Sequence, residues 1–262
     1  MSGSRPGTED SKQSRSMKTM FSIMANTMRP LMNLLLAKTW LQTEKLPRDR
    51  GFIVCPNHYS EIDPVLVGHM LYNNGFPPHF LAKGSLFKLP FVGKAMSGSK
   101  QIPVDRSGPT AGRALVVAQE VLDEGGAIII YPEGTLTRDP DLWPMRGHTG
   151  AARLALQTGA PVIPVAHWGA QEVFPRYARM VRPLPRKRVT MVVGDPVDLD
   201  RFRDRPLDKT LLHEATEAIL DEITALLVGL RGGTPPAERW DPAEHNQTGQ
   251  GRKLEQDPKD HK

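Results

Sequence analysis

Cysteine is nearly absent from this sequence of 262 residues; Cys55 is the only one. A disulfide framework and a cysteine-based zinc site are thereby excluded, and a reducing compartment fits. His69, His79, His148, His167 and His213 lack the paired spacing of a metal site, so no metal is expected. No apolar run approaches the roughly 20 residues of a spanning helix. Residues 1–16 are polar, which predicts no secretory signal peptide. No RNA- or DNA-binding signature appears, so nucleic acid is not an expected partner. What is present is positive charge: the formal net charge is +5. That balance favours anionic partners, whether phosphate, a membrane surface or an acidic carrier protein. Hydrophobic residues make up 39%, enough for a core in one large domain with or without appendages.

Residues 1–16 read as a disordered N-terminus. Met17, Met20, Met24 and Met28 then recur at helical spacing, Pro30 interrupts, and a second apolar run covers 31–37. The expectation for residues 17–45 is a pair of short helices, apolar on one side, with Arg15, Lys18, Arg29 and Lys38 around them. Soft methionine-rich faces beside cations suit a membrane interface; packing on the domain's own core is the alternative. From 46 to 231 strands and helices alternate. Candidate strands are 52–55, 79–82, 101–104, 127–131, 162–166 and 189–193. Candidate helices are 64–72, a short one within 86–97, 109–124, 147–157 and 209–229. This alternation predicts a single α/β domain with a largely parallel mixed sheet flanked by helices. Residues 232–262 are rich in proline, glycine and charge and read as a disordered tail.

The apolar run Phe52-Ile53-Val54-Cys55 leads into Asn57-His58, and Asp63 follows five residues after the histidine. Five helical residues span roughly 500°, so His58 and Asp63 cannot share a helix face. They meet only across a loop. Asp63-Pro64 reads as an N-cap with proline at the first helical position, which leaves His58 in a strand-to-helix loop. Ligand sites of open α/β sheets cluster at that edge. An imidazole held by a carboxylate is a base able to deprotonate an alcohol. The plainer alternative is that Asp63 only caps a helix and His58 only occupies a loop. Cys55 is read as a small buried hydrophobe rather than an acyl carrier.

Tyr131-Pro132-Glu133-Gly134-Thr135 follows the strand candidate Ala127-Ile128-Ile129-Ile130. Lys83 follows His79-Phe80-Leu81-Ala82, and Arg106 follows Ile102-Pro103-Val104-Asp105. With parallel strands, these cations and the base converge on one edge, as a phosphate-bearing alcohol requires. The stretch 176–188 adds Arg176, Arg179, Arg182, Arg186, Lys187 and Arg188 without an acid. Such a patch draws anionic lipid or an acidic carrier protein; a solvated loop is the alternative.

In these blocks the sequence resembles the 1-acylglycerol-3-phosphate acyltransferase family, the glycerolipid acyltransferases, over roughly residues 30–200. Four blocks stand in the family's order: Asn57-His58 with Asp63; residues 102–106; Pro132-Glu133-Gly134-Thr135; and the strand Pro161-Val162-Ile163-Pro164-Val165 near the acyl pocket. Lys83 has a matching Ala-Lys context, and Arg146-Gly147 with Gly150 and Leu154 resembles the segment leading into the fourth block. Two departures stand out. Pro103 occupies a position that is often aromatic, and Leu136 stands where arginine often follows the Glu-Gly-Thr triplet. Arg138 is the nearest substitute.

The resemblance implies His58 as general base and Asp63 as its orienting carboxylate, both catalytic. It implies Lys83, Arg106, Glu133, Gly134, Thr135 and Arg138 as acceptor-binding residues. An oxyanion donor is expected from a backbone N–H near 58–63 or 133–135. The implied reaction moves a fatty acyl group from acyl-CoA or acyl carrier protein to the sn-2 hydroxyl of 1-acylglycerol 3-phosphate. It needs no cofactor and occurs on the cytoplasmic face of the cell membrane, against an anionic surface, with a membrane lipid as acceptor. Acylation of another lipid alcohol, such as a lyso-aminolipid or glycolipid, is one alternative. A catalytically silent lipid-binding protein is the other.

Overall fold

A computed structural model describes residues 26, 29–30, 32–84, 101–104 and 111–248. Seven strands form one sheet: β1 (Leu36–Leu41), β2 (Phe52–Pro56), β3 (Pro78–Lys83), β4 (Ile102–Val104), β5 (Ala127–Ile129), β6 (Val162–Trp168) and β7 (Lys187–Val193), in the order β1-β7-β6-β2-β5-β3-β4. The helices are α1 (Asp63–Asn73), α2 (Ala111–Asp123), α3 (Gly150–Thr158), α4 (Ala170–Val173), α5 (Asp200–Arg203) and α6 (Lys209–Arg231).

The run Phe52 to Cys55 is buried throughout because β2 lies at the centre of the sheet, covered on both faces. Pleating sends alternate side chains to opposite sides. Phe52 and Val54 join the core beneath α1, with Leu66, Val67, Met70 and Leu71. Ile53 and Cys55 join the core beneath α6, with Leu211, Ala215, Ile219 and Ile223. Each buried aliphatic contributes roughly 1.5–3 kcal/mol. Helix α6 forms where 209–229 was expected to, and the Asp208 carboxylate starts it by accepting from Leu211 N at 2.8 Å.

Strand direction decides where the loops gather. β6, β2, β5, β3 and β4 run parallel, while β7 is antiparallel to β6 and β1 is parallel to β7. The carboxyl ends of the central strands therefore share an edge with the amino ends of β7 and β1. The loops after β2 and β5 and the long connection from β6 to β7 all leave from that edge.

Two expected boundaries shift. Residues 36–41, expected within the N-terminal helix pair, are the edge strand β1, paired with β7 in the register Leu36↔Lys187. The described residues before it, 26, 29–30 and 32–35, are helical, and a 3-10 turn covers Thr43–Lys45. The domain thus starts earlier than residue 46. The pattern was ambiguous because β1 gains its order from a partner strand some 150 residues away in sequence. Most of residues 17–31, and the helix expected within 86–97, lie outside the described residues. At the other end, residues 232–248 are not a loose tail. The Arg239 guanidinium bonds Glu217 at 2.9 Å, Asp221 at 2.5 Å and Thr224 at 3.0 Å on α6. Arg146 pairs with Asp241, and a 3-10 turn forms at Pro242–His245. Polar clamps hold this segment, and a composition poor in apolar residues does not reveal them.

Candidate active site

His58 follows β2 by two residues, in the loop that α1 closes. Asp63 is the first residue of α1, one place later than the cap position expected, and its carboxylate does not cap that helix. It turns back into the loop instead. Its Oδ2 accepts from Tyr59 N at 2.8 Å, from Ser60 N at 2.7 Å and from His58 Nδ1 at 3.0 Å. Asp63 is fully buried, so a carboxylate there demands such donors. With Nδ1–H donating to Asp63, the lone pair of the His58 ring lies on Nε2. The His58 side chain keeps 15% exposure, whereas Asp63 has none.

The loop after β5 clasps the His58 peptide from both sides. Glu133 Oε1 accepts from His58 N at 3.1 Å, and Thr137 N donates to the His58 carbonyl at 2.7 Å. Gly134 makes the intervening turn at φ 68°, in the left-handed region that disfavours a side chain. Glu133 Oε2 accepts from Met145 N at 3.0 Å, and the residue is 1% exposed. Burial pushes its carboxyl up to about 8, while the amides of Met145 and His58 pull it down. The Tyr131 ring lies 4.1 Å from the His58 ring, centroid to centroid, tilted by 31°.

Behind the loop sits a second imidazole. His167, on β6, is buried, with Nδ1 3.0 Å from Tyr59 Oη and Nε2 3.1 Å from the Asn57 carbonyl. Asn57 returns two bonds to the His167 backbone: its Oδ1 accepts from N at 2.9 Å and its Nδ2 donates to O at 3.1 Å. Burial holds the His167 imidazole below its ordinary value, against the pull of Asp63. His167 Nε2 stands 3.8 Å from Asp63 Oδ1, the oxygen that accepts no hydrogen bond. The aspartate therefore lies between two imidazoles, one bonded and one merely near.

The structure unites some expected site residues and separates others. His58, Asp63, Glu133, Gly134 and Thr135 share one edge. Glu133 acts inside the protein as a backbone brace, with both oxygens engaged, rather than at a pocket mouth. Arg138 is also internal: its Nη1 donates to Tyr177 Oη at 2.6 Å and its Nη2 to Thr248 Oγ1 at 3.2 Å. It does not stand in for an arginine at Leu136, which is itself buried. Lys83 ends β3 on the same edge, and Arg106 lies outside the described residues. The Cys55 side chain faces the core beneath α6, and burial pushes its thiol up, away from nucleophilic service. Sequence reasoning missed the roles of Thr137, Tyr131 and Arg176. Arg176 Nη1 donates to the carbonyls of Thr137 at 2.5 Å and Asp139 at 2.8 Å. Only the run from Tyr131 to Thr135 carried a signal for any of them. Among the described residues, no cluster of His, Cys, Asp and Glu could hold a metal ion, and no helix is long and apolar enough to cross a membrane.

A histidine–carboxylate pair at the carboxyl edge of a mixed sheet suits an enzyme that activates its substrate's own hydroxyl. The acyltransferase family model matches residues 39–168, which contain this whole constellation. Over 210 residues the chain is 26% identical to the 1-acyl-sn-glycerol-3-phosphate acyltransferase of Bacillus subtilis, covering 79% of this chain and 96% of that protein. It is 33% identical over 133 residues to the enzyme of the same name from Borreliella burgdorferi, spanning about half of each, 50% and 51%. The crystal structure of the 1-acyl-sn-glycerophosphate acyltransferase from Thermotoga maritima superposes with a TM-score of 0.63 at 23% identity, over 88% of this chain and 86% of that one. That likeness speaks for the fold. The chain belongs to the acyltransferase family and is a glycerolipid acyltransferase.

Proposed function

We propose that the chain transfers a fatty acyl group from acyl-CoA or acyl carrier protein to the sn-2 hydroxyl of 1-acylglycerol 3-phosphate, yielding phosphatidate. The observation that carries this reading is the 3.0 Å contact between His58 Nδ1 and Asp63 Oδ2, which leaves Nε2 as a base. The acceptor hydroxyl oxygen attacks the thioester carbonyl as its proton passes to His58 Nε2. Asp63 steadies the resulting imidazolium. The tetrahedral intermediate collapses, the C–S bond breaks, and the proton goes from His58 to the departing thiolate. The amides of His58, Tyr59, Ser60 and Asp63, and that of Gly134 in the turn, already have acceptors, so the oxyanion donor is another backbone N–H of the 58–63 loop or the 133–135 turn. Lys83 and Arg106 are the acceptor-phosphate cations. No cofactor is needed, and the enzyme works at the cytoplasmic face of an anionic membrane. Purified protein given acyl-CoA and mixed lysolipids should yield phosphatidate by mass spectrometry. Full turnover by a folded His58→Ala variant would sink the mechanism.

A second reading has one observation in its favour. With Glu133 and Arg138 turned inward, fewer side chains of the third block reach an acceptor phosphate, as a different lipid alcohol would allow. Arg106→Ala discriminates: selective loss on phosphate-bearing acceptors supports the first reading, and indifference supports the second.

A further inference from the structure

The connection from β6 to β7 is long, and its two ends differ in character. Its base is bolted to the site. Ser60 Oγ, inside the His58 loop, donates to the Phe174 carbonyl at 2.6 Å, and Arg176 is held on the carbonyls of Thr137 and Asp139. At the start of the connection, Gly169 lets two backbones approach; a Cβ there would lie 2.0 Å from the Arg188 carbonyl oxygen. Arg186 closes the far end by donating to the Leu36 carbonyl at 2.9 Å, beside the first residues of β1 and β7.

The tip is different. Met180 is 77% exposed and Leu184 81%, with Val181 half exposed between them. Leu34, at the entry to β1 on the same edge, is 72% exposed. Arg179, Arg182 and Arg188 are exposed and form no ion pair among the described residues. Large apolar side chains standing in water between unpaired arginines are costly in a surface meant only for solvent. They match the boundary of an anionic bilayer, where apolar groups sink below the headgroups and cations meet phosphates. An acidic protein would be served by the arginines and leaves Met180 and Leu184 unexplained.

We propose that the loop from Arg179 to Arg186 docks on an anionic bilayer, sinking Met180 and Leu184 into its interface. Docking there turns the carboxyl edge of the sheet, and His58 with it, toward lipid. The inference builds on the lipid-acylation reading and adds the surface that delivers the site to its acceptor. Because Ser60 ties the loop's base to the catalytic loop and Arg176 ties it to the 137–139 segment that holds the His58 carbonyl, docking also fixes the height of His58 above the membrane.

The test places a polarity-sensitive fluorophore at Met180→Cys, with Asp49→Cys before β2, on the opposite edge, as control. Cys55 is buried and does not compete for label. Adding vesicles of equal phosphatidylglycerol and phosphatidylcholine should shift the emission at 180 to the blue and leave 49 unchanged. The double variant Met180→Asp/Leu184→Asp should partition to these vesicles about tenfold more weakly. Its turnover should drop equally on vesicle-borne acceptor, yet stay near wild type on a short-chain acceptor dispersed as monomers. An unshifted label at 180, unweakened binding of the double variant, or a label that answers acyl carrier protein and not vesicles would overturn the proposal. Docking by a wild type that acylates nothing would instead count against the acyl-transfer reading alone.

Discussion

The loop at 57–63 and the loop at 174–188 leave the same edge of the sheet and obey opposite rules. In the first, nearly every polar group has a defined partner: the His58 peptide is held at both ends, and one aspartate oxygen gathers three donors. In the second, beyond its anchored base, Arg179, Arg182, Met180 and Leu184 face solvent, and neither arginine forms an ion pair among the described residues. Saturated hydrogen bonding fixes an imidazole within a fraction of an ångström, as proton transfer requires. Unsatisfied exposure keeps binding capacity for something outside the molecule. A rigid site and an adhesive surface therefore sit side by side, joined directly through Ser60.

Several variants break this contrast, beginning with the largest effect. His58→Ala should lower turnover by about 10²–10⁴-fold, read from acyl-CoA consumption, while the melting temperature stays close to wild type. Asp63→Ala should combine that loss with lower stability, because the buried amides of Tyr59 and Ser60 lose their acceptor at roughly 1–3 kcal/mol each. Urea denaturation beside steady-state kinetics separates the two effects. Glu133→Ala should destabilise through the amides of His58 and Met145, and turnover should drop as the His58 loop loosens. At the mild end, Arg179→Ala and Arg182→Ala should change unfolding free energy by no more than about 0.5 kcal/mol.

The pH dependence sharpens the same comparison. Glu133 rises from an ordinary 4.5 to about 8 in the folded protein, chiefly through burial. A raised value means that the folded state holds its proton more tightly than the unfolded chain. The associated stability is complete below about 4.5 and is lost as pH climbs through about 8. Chemical denaturation across that range should show unfolding free energy falling with pH. Glu133→Gln should flatten the slope, and charge changes in the 174–188 loop should leave it untouched.

The strand–loop–helix around His58 was legible because a short apolar run, a polar loop and an Asp-Pro helix start are all local signals. Helix α6 was legible for the same reason. β1 was not: Leu36–Leu41 reads equally well as a continuing helix until β7 arrives to pair with it. The segment 232–248 was misjudged because its order rests on Arg239 and Arg146 clamps rather than on apolar burial. Glu133 and Arg138 were visible as charges, but their inward direction was not.

Local periodicity and motif spacing alone determined the α/β class, the central buried strand, and that His58 and Asp63 could meet only across a loop. Tertiary structure alone decided that Asp63 points back into that loop, that Glu133 braces His58 from within, and that the basic loop shares the edge of the site. The physical reason is that neighbours along the chain set backbone conformation, whereas the direction of a buried charge depends on donors from distant segments.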